Sequence, residues 1–202
     1  WMTVSHYPEL ELWNDQYQPQ AVLSVTNPQQ ANYNWATAEI VPWKAYDGQQ
    51  LEGILYKPAD YDATKKYPLI LYYYELNSDN LHNYQGPRPS ASTINPTEYA
   101  SAGYFVFIPD IRYEIGHPAK SAYNCIMSAT DQLLKQFPID STRMGLQGQS
   151  WGGYQTAQLV TMTKRYAAAM AGAPVGNMIS AYGGIRWGSG LNRQFQYEST
   201  QS

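Results

Sequence analysis

The sequence predicts an α/β protein with a mostly parallel sheet. From residue 66 to residue 175, patterns typical of strands alternate with patterns typical of helices, and such alternation places helices on the faces of a parallel sheet. The central strand-like stretch is a nearly continuous apolar run, as expected for a strand that is buried on both faces. The 202 residues are 44% hydrophobic and only 14% charged, so the chain can bury a sizeable core and is not disordered.

The first quarter of the chain predicts short strands followed by a hairpin. Residues 1–34 are rich in Pro, Asn and Gln, with alternating patches such as "AVLSV" at 21–25, which suits one or two short strands without a core of their own. The alternating stretches "TAEIVPWKA" and "LEGILYKPA" then flank Asp47-Gly48. Because this dipeptide favours a tight turn, the two stretches are predicted to pair as a hairpin.

The next elements are a central strand, a long loop, a short helix and a second strand. The run "YPLILYYYEL" at 67–76 predicts a central strand. It is followed by a loop over 77–96 without a clear period, and loops of that length in compact domains usually serve a function or are mobile. The stretch "PTEYASA" predicts a short helix that ends at Gly103, and "YFVFIPD" predicts the next strand.

Two further helix–strand units follow. The stretch "KSAYNCIMSATDQLLKQF" has helical spacing, and Pro138 is expected to end that helix. Cys125, the single cysteine, lies within it and is predicted to be a small buried side chain and not a nucleophile. The strand "RMGLQGQ", the helix "WGGYQTAQLVTMTKR" and the strand "YAAAMAGAPV" continue the alternation, while the Gly-rich and aromatic residues 176–202 show no finishing element.

Composition and charge exclude several classes of partner. The net charge is −3 and no run of Lys or Arg forms a basic stripe, so neither nucleic acid nor an anionic membrane is expected as a partner. No apolar run is long enough to span a bilayer, so membrane insertion is not expected either. The histidines and carboxylates lack the spacing of metal ligands, and no metal or other cofactor is predicted. The aromatic residues, which include 19 Tyr and 6 Trp, suit either a ligand cleft or a core.

The stretch "GLQGQSWGGYQTA" at 145–157 carries the strongest functional signal. It contains the pattern G-x-S-x-G around Ser150, with a predicted strand before it and a predicted helix after it, which is the context that this motif requires. A sharp strand-to-helix turn lifts the serine hydroxyl above the carboxyl edge of the sheet. It also directs the N-terminus of the helix at developing negative charge, so the backbone N–H of Trp151 is a candidate oxyanion donor.

The same stretch resembles the nucleophile region of the prolyl oligopeptidase family, and other segments agree with it in order. "DGQQLEGILYKP" resembles the hairpin at the start of that family's catalytic domain, "KKYPLILYYY" the strand that ends in its oxyanion tyrosine, and "IDSTRMGLQG" its approach to the serine. The form "GQSWGGY", with Tyr154 after two glycines, is typical of the dipeptidyl and acylaminoacyl peptidase branches. The resemblance covers roughly residues 35–200.

This resemblance implies a serine peptidase with an α/β-hydrolase domain, which in the family sits beneath a β-propeller. It implies that residues 1–34 are a remnant of the last propeller blade and that residues 35–202 are the N-terminal part of the peptidase domain, an incomplete α/β-hydrolase fold. Implied roles are nucleophile for Ser150 and oxyanion donors for the Trp151 N–H and the Tyr74 O–H. Tyr154, Val175 and Met178 are implied substrate-binding residues, with a peptide as substrate.

Two segments near the expected site depart from the family pattern. After the central strand the family usually has a Gly-Gly-Pro-like turn, whereas this chain has "ELNS" at 75–78. After the next strand the family shows an "RG..GYG" segment, whereas this chain has "IRYEIGHPAK". Both changes fall at the mouth of the site, so they leave the substrate preference open.

The partners that would activate Ser150 are not found after it. In α/β-hydrolases the triad follows the order Ser, acid, His, but no histidine follows Ser150 and Glu198 is the only carboxylate residue there. His6 and His117 are expected to lie away from the site, and His82 in the long loop is expected to be a rim residue. The expectation is therefore a fragment, inactive alone, of a longer peptidase whose triad Asp and His lie beyond residue 202.

Three alternatives remain open at this point. A degenerate hydrolase would also lack the triad residues, a carboxylesterase or lipase would use the same serine turn, and a non-catalytic binding module would use only the aromatic cleft. The chain starts mid-pattern with "WMTVSHYPELEL", without a charged and apolar leader, which suggests a leader or domain upstream. The neutral polar surface and the habits of the family suggest an exported parent, periplasmic or secreted.

Overall fold

The computed structural model describes residues 1–199, which form a six-stranded sheet, a separate two-stranded sheet and helices on both faces of the larger sheet. The strands are β1 (Glu11–Trp13), β2 (Pro19–Val22), β3 (Ala36–Lys44), β4 (Gln50–Pro58), β5 (Tyr67–Tyr73), β6 (Phe105–Pro109), β7 (Ile139–Gln149) and β8 (Ala168–Gly172). The α-helices are α1 (Pro96–Ser101), α2 (Pro118–Gln136), α3 (Trp151–Met162), α4 (Met178–Gly183) and α5 (Gln194–Ser199).

The larger sheet has the order β3-β4-β6-β5-β7-β8 and is mostly parallel. Strands β6, β5, β7 and β8 run parallel to one another, while β3 pairs antiparallel with β4 and β4 pairs antiparallel with β6. In the centre of the sheet Ile70 of β5 lies between Val106 of β6 and Gly145 of β7. The predicted α/β class and the central position of the strand over 67–76 are confirmed.

The predicted hairpin forms around Asp47-Gly48. Gly48 has a φ of +93°, a left-handed conformation that glycine adopts without strain, and its N–H donates to the carbonyl of Ala45 at 2.9 Å. The Asp47 carboxylate accepts the backbone N–H of Gln49 at 3.1 Å and closes the turn. The strands of the hairpin then pair in register from Lys44 opposite Gln50 outward.

Strand alternation divides the core into two layers. In β6, Phe105 and Phe107 face the layer under α2 and α3, whereas Val106 and Ile108 face the layer under α1. The first layer is the larger one and includes Leu69, Leu71, Cys125, Ile126, Leu133, Leu146 and Leu159. Cys125 is fully buried there, as its place in an apolar helix predicts.

The helices agree with the sequence in the middle of the chain and differ from it towards the end. Asn95 caps the start of helix α1, since its side chain accepts the backbone N–H of Glu98 at 3.0 Å, and the helix ends just before Gly103. Helix α3 ends at Met162, three residues earlier than predicted, because the backbone is extended at Thr163. Beyond that point Arg165 pairs with Asp131 of α2 at 2.7 Å. Helices α4 and α5 form in residues 176–199, where the sequence predicts no element.

Residues 1–34 contain the short strands β1 and β2 in a separate exposed hairpin, which confirms the prediction of short strands there. The indole N–H of Trp35 donates to the carbonyl of Val4 at 2.8 Å and joins this segment to the start of β3.

At the other edge of the large sheet, residues 168–171 of β8 are exposed, although parallel strands are usually covered on both faces.

None of the helices within residues 1–199 is both long enough and apolar enough to cross a membrane.

The buried position of Cys125 predicts a thiol that does not react in the folded protein. Burial raises the pKa of Cys125 from its ordinary 9.0 to about 11, so at pH 8 the reactive thiolate is roughly 100-fold scarcer than in the unfolded chain. We expect no modification of the Cys125 peptide by an aromatic disulfide at pH 8, measured by mass spectrometry, and complete modification after unfolding in urea. Rapid modification of the folded protein would show that α2 does not cover this side chain.

Candidate active site

Ser150 lies at a sharp bend between the central strand β7 and helix α3. Its φ of +59° and ψ of −111° are unusual for a residue with a side chain, and strain of this kind is often stored at functional sites. The backbone N–H of Ser150 donates to Gly172 at the end of β8 at 2.8 Å, and its carbonyl accepts the N–H of Tyr154 at 3.0 Å. The side chain is half-buried and does not cap the helix. The predicted bend between strand and helix is present.

The closest backbone approaches at the bend are at two glycines. A Cβ on Gly148 would lie 2.2 Å from the carbonyl oxygen of Gly152. A Cβ on Gly152 would lie 2.2 Å from the carbonyl oxygen of Tyr73, at the end of β5. No atom tolerates such distances, so any larger residue would push α3 away from the end of the sheet.

Tyr74 follows the last residue of β5 and lies at the same sheet edge as the bend. The preceding residue, Tyr73, is opposite Gly148, two residues before Ser150. The Cα of Tyr74 is 3.7 Å from the position that a Cβ of Gly152 would occupy. The Tyr74 side chain is 36% exposed.

Strand alternation separates the three consecutive tyrosines. Tyr73 is buried in the core, where its hydroxyl shares a 2.8 Å hydrogen bond with Thr156 of α3, and burial raises the pKa of Tyr73. Tyr72 is half-buried and packs in the layer under α1. Of the three side chains, that of Tyr74 is the most exposed.

The aromatic side chains around the bend form a cluster centred on Trp151. Trp151 is buried, and its ring stacks on Tyr154 with centroids 4.7 Å apart. The ring of Tyr113 meets it edge-on at 6.3 Å, and Tyr197 of α5 packs against it at 5.7 Å. The cluster fixes the first turn of α3, the turn that begins with the Trp151 N–H.

Of the substrate-binding residues implied by the resemblance, two lie beyond β8 and one lies on α3. Val175 and Met178, the first residue of α4, are both half-buried. The chain that leads to them packs on α3, since a Cβ on Gly153 would lie 3.0 Å from the Cα of Pro174. Tyr154 is half-buried on the first turn of α3, and burial raises its pKa.

Asp110 is a residue of this edge that the sequence analysis missed. It follows β6 directly and is buried, and its carboxylate accepts the N–H groups of Asn77 and Ser78 at 2.6 and 2.9 Å and the Ser78 hydroxyl at 2.7 Å. It thereby holds the turn after Tyr74 in the segment that departs from the family pattern. An aspartate placed directly after a buried strand is the sequence signal that identifies it.

The three histidines lie apart from one another. His6 stacks on Trp1 in the N-terminal segment, His82 is exposed in the loop after β5, and His117 is exposed just before α2. Within residues 1–199, no group of three or more His, Cys, Asp or Glu side chains is placed to hold a metal ion.

A serine on a strained bend between a central parallel strand and the helix behind it, above a mixed sheet of this order, defines the α/β-hydrolase class. A profile described as "Prolyl oligopeptidase family" matches residues 89–199, more than half of the chain. The chain therefore belongs to the prolyl oligopeptidase family of serine peptidases.

Related proteins agree with this assignment. The chain is 30% identical over 160 residues to the uncharacterized peptidase YuxL of Bacillus subtilis, covering 72% of this chain and 23% of that protein. It is 30% identical over 155 residues to mouse (Mus musculus) dipeptidyl peptidase 8, covering 70% of this chain and 17% of that protein. An acylaminoacyl peptidase structure has the same fold over 99% of this chain and 32% of its own, with a TM-score of 0.69 and 17% identity. The chain spans less than a quarter of the length of YuxL and of dipeptidyl peptidase 8.

The close approach at the bend predicts that two glycines in β7 and α3 are essential and that a third is not. We expect Gly148→Ala and Gly152→Ala each to lower the free energy of unfolding by at least about 3 kcal/mol, the upper end of the usual cost of overpacking. Gly145→Ala is the matched control in β7, since its Cβ would lie at an ordinary 3.7 Å from Ala168. Urea denaturation followed by tryptophan fluorescence measures all three, and wild-type stability of Gly152→Ala would contradict the bend described here.

Proposed function

We propose that this chain is part of a serine peptidase in which Ser150 is the nucleophile. The observation that carries the proposal is the strained backbone of the half-buried Ser150, which lies between the carboxyl end of β7 and the start of α3. The Ser150 Oγ would attack the carbonyl carbon of a peptide bond, and its proton would pass to a histidine base outside this chain. The C–N bond would then break as the base returns the proton to the leaving amine, and water would release the acyl group from Ser150.

The oxyanion formed in that attack would be stabilised by two donors. The Trp151 N–H is at the start of α3, where the helix dipole favours negative charge, and the aromatic cluster holds that turn in place. The Tyr74 O–H would be the second donor. Its support is the position of Tyr74 beside Gly152 and the exposure of its side chain, together with the family resemblance.

The substrate would lie along the surface formed by α3 and the segment after β8. Tyr154, Val175 and Met178 are half-buried there and offer apolar contacts to a side chain of the substrate. That the substrate is a peptide is supported by the family and by the relatives that share 30% identity, which are named as peptidases.

The chain would be a fragment of this enzyme. Residues 35–202 would be the N-terminal part of the peptidase domain and residues 1–34 a remnant of the last propeller blade. Three observations support a fragment: the chain spans 17–23% of the curated relatives above, β8 is exposed, and no histidine follows Ser150 in the sequence. The triad Asp and His would be supplied by the rest of the protein, and this chain by itself should show no turnover.

Labelling with a fluorophosphonate tests the nucleophile. In the complete protein we expect a covalent adduct on the peptide that contains Ser150, detected by mass spectrometry, because activation by the triad makes this hydroxyl nucleophilic. Ser150→Ala should abolish the adduct, and the isolated chain of residues 1–202 should label no faster than its own Ser150→Ala variant. Equal labelling of the complete protein and its Ser150→Ala variant would refute the proposal and would favour a non-catalytic binding module.

A comparison of leaving groups and acyl groups separates a peptidase from a carboxylesterase or lipase, which would use the same bend. We expect the complete protein to hydrolyse peptidyl nitroanilides with a kcat/KM well above that of its Ser150→Ala variant, since a peptidase must stabilise the poorer amine leaving group. We expect the kcat/KM for simple acyl nitrophenyl esters to be no higher than that for peptidyl nitrophenyl esters. Hydrolysis of acyl esters without any turnover of peptidyl nitroanilides would instead identify an esterase.

A further inference from the structure

The carbonyl oxygen of Tyr74 is held by two side chains from other parts of the fold. The Nε2 of Gln155, on α3, donates to it at 2.7 Å. The hydroxyl of Tyr113, in the loop after β6, donates to it at 2.9 Å. Gln155 Nε2 also contacts the Tyr113 hydroxyl, so the three groups form one closed cluster.

The chemistry of the acceptor determines the orientation of the cluster. A carbonyl oxygen only accepts hydrogen bonds, so the Gln155 atom that meets it must be the amide nitrogen. The Tyr113 hydroxyl gives its proton to Tyr74 and keeps lone pairs that accept from Gln155. Burial raises the pKa of Tyr113, so this hydroxyl stays protonated and remains a donor.

The buried amide of Gln155 lowers the stability of the fold, so its presence in α3 points to a role for its contact with Tyr74. Its side chain is fully buried in α3, and no hydrogen-bond partner for its Oε1 is found among the described residues. A buried polar atom without a partner costs about 1–3 kcal/mol. An apolar side chain in the same helix would avoid that cost but would leave Tyr74 without one of its two donors.

The sheet itself does not hold Tyr74. The ladder between β5 and β7 ends with the pair Tyr73 and Gly148, so the peptide of Tyr74 lies beyond the last ladder position. Beyond that position the side chains of Gln155 and Tyr113 supply the hydrogen bonds to the Tyr74 carbonyl. The cluster joins Tyr74 to the helix whose first turn follows Ser150, at a separation of 81 residues in the sequence.

We propose that Gln155 and Tyr113 are positioning residues that fix the Tyr74 backbone to α3 and thereby set the place of the Tyr74 hydroxyl relative to Ser150. The inference rests on the proposed function, in which that hydroxyl stabilises the oxyanion. A misplacement of about 1 Å in such a site can cost 100-fold in rate. Because the hydroxyl acts on charge that develops in the transition state, the loss falls on kcat and not on KM.

A double-mutant cycle in the complete protein tests this inference with a peptidyl nitroanilide as substrate. We expect Tyr74→Phe to lower kcat by about 100-fold, the usual effect of losing one oxyanion donor. Gln155→Met, which keeps the length of the side chain and removes the donor, should lower kcat by about 10-fold with KM unchanged. In the Tyr74→Phe background, Gln155→Met should change kcat by less than about twofold, since the hydroxyl that it positions is then absent.

Two further variants make the cycle decisive. Gln158→Met, three residues further along α3 and half-buried, is the matched control and should retain wild-type kcat. Tyr113→Phe removes only a hydroxyl. It is used in the cycle instead of Gln155→Met if circular dichroism and the melting temperature show that the Gln155→Met variant does not fold. It should show the same loss of kcat and the same lack of effect when Tyr74 is already Phe.

The outcomes separate this inference from the proposed function. Additive losses in the double variant, or a wild-type kcat for Gln155→Met or Tyr113→Phe, would overturn the positioning role. The proposed peptidase function would still stand in that case, provided that turnover depends on Ser150. Wild-type kcat for Tyr74→Phe would overturn the positioning role as well, because there would be no oxyanion donor to position. If fluorophosphonate labelling and turnover do not depend on Ser150, the proposed function itself fails and the positioning role fails with it.

Discussion

The arrangement of the candidate site depends on backbone contact at the bend between β7 and α3. Gly148, Gly152 and the carbonyl of Tyr73 meet there without a side chain between them. The contact allows the first turn of α3 to sit directly above the end of β5, and it forces the strained conformation of Ser150 between them. The hydrogen bond from Ser150 to Gly172 then attaches β8 to the same point, so three parallel strands and one helix share a single junction.

Buried polar groups organise the loops around this junction. Asp110 binds the turn at Asn77 and Ser78, and the cluster of Gln155 and Tyr113 binds Tyr74. Each of these groups binds backbone just beyond the end of β5, where the ladder stops supplying partners. Polar side chains that continue the hydrogen bonding at this edge make the loops rigid without a regular element, and a preformed site needs that rigidity.

Much of the fold follows from the sequence because its signals are local. Asp47-Gly48 marks its hairpin, Gly103 marks the end of α1, and the apolar run over 67–76 marks the central strand. Helix α3 ends earlier than its pattern indicates because the chain extends at Thr163 to reach β8, where the Ala167 N–H donates to the Met144 carbonyl of β7 at 2.8 Å. Helices α4 and α5 are short and their sequences lack a clear period, so no local signal identifies them.

The sequence by itself determined the order of strands and helices along the chain as far as β8, and the serine bend, because turn glycines, prolines and the spacing of apolar residues act over a few neighbouring positions. Membership in a peptidase family was also readable from it, since the serine segment is continuous. Only the tertiary structure decided that Tyr73 packs in the core while the Tyr74 side chain is partly exposed, and that Gln155 and Tyr113 meet at its carbonyl. Those contacts join residues that are 39 and 81 positions apart, and which of them meet depends on how strands and helices pack in space.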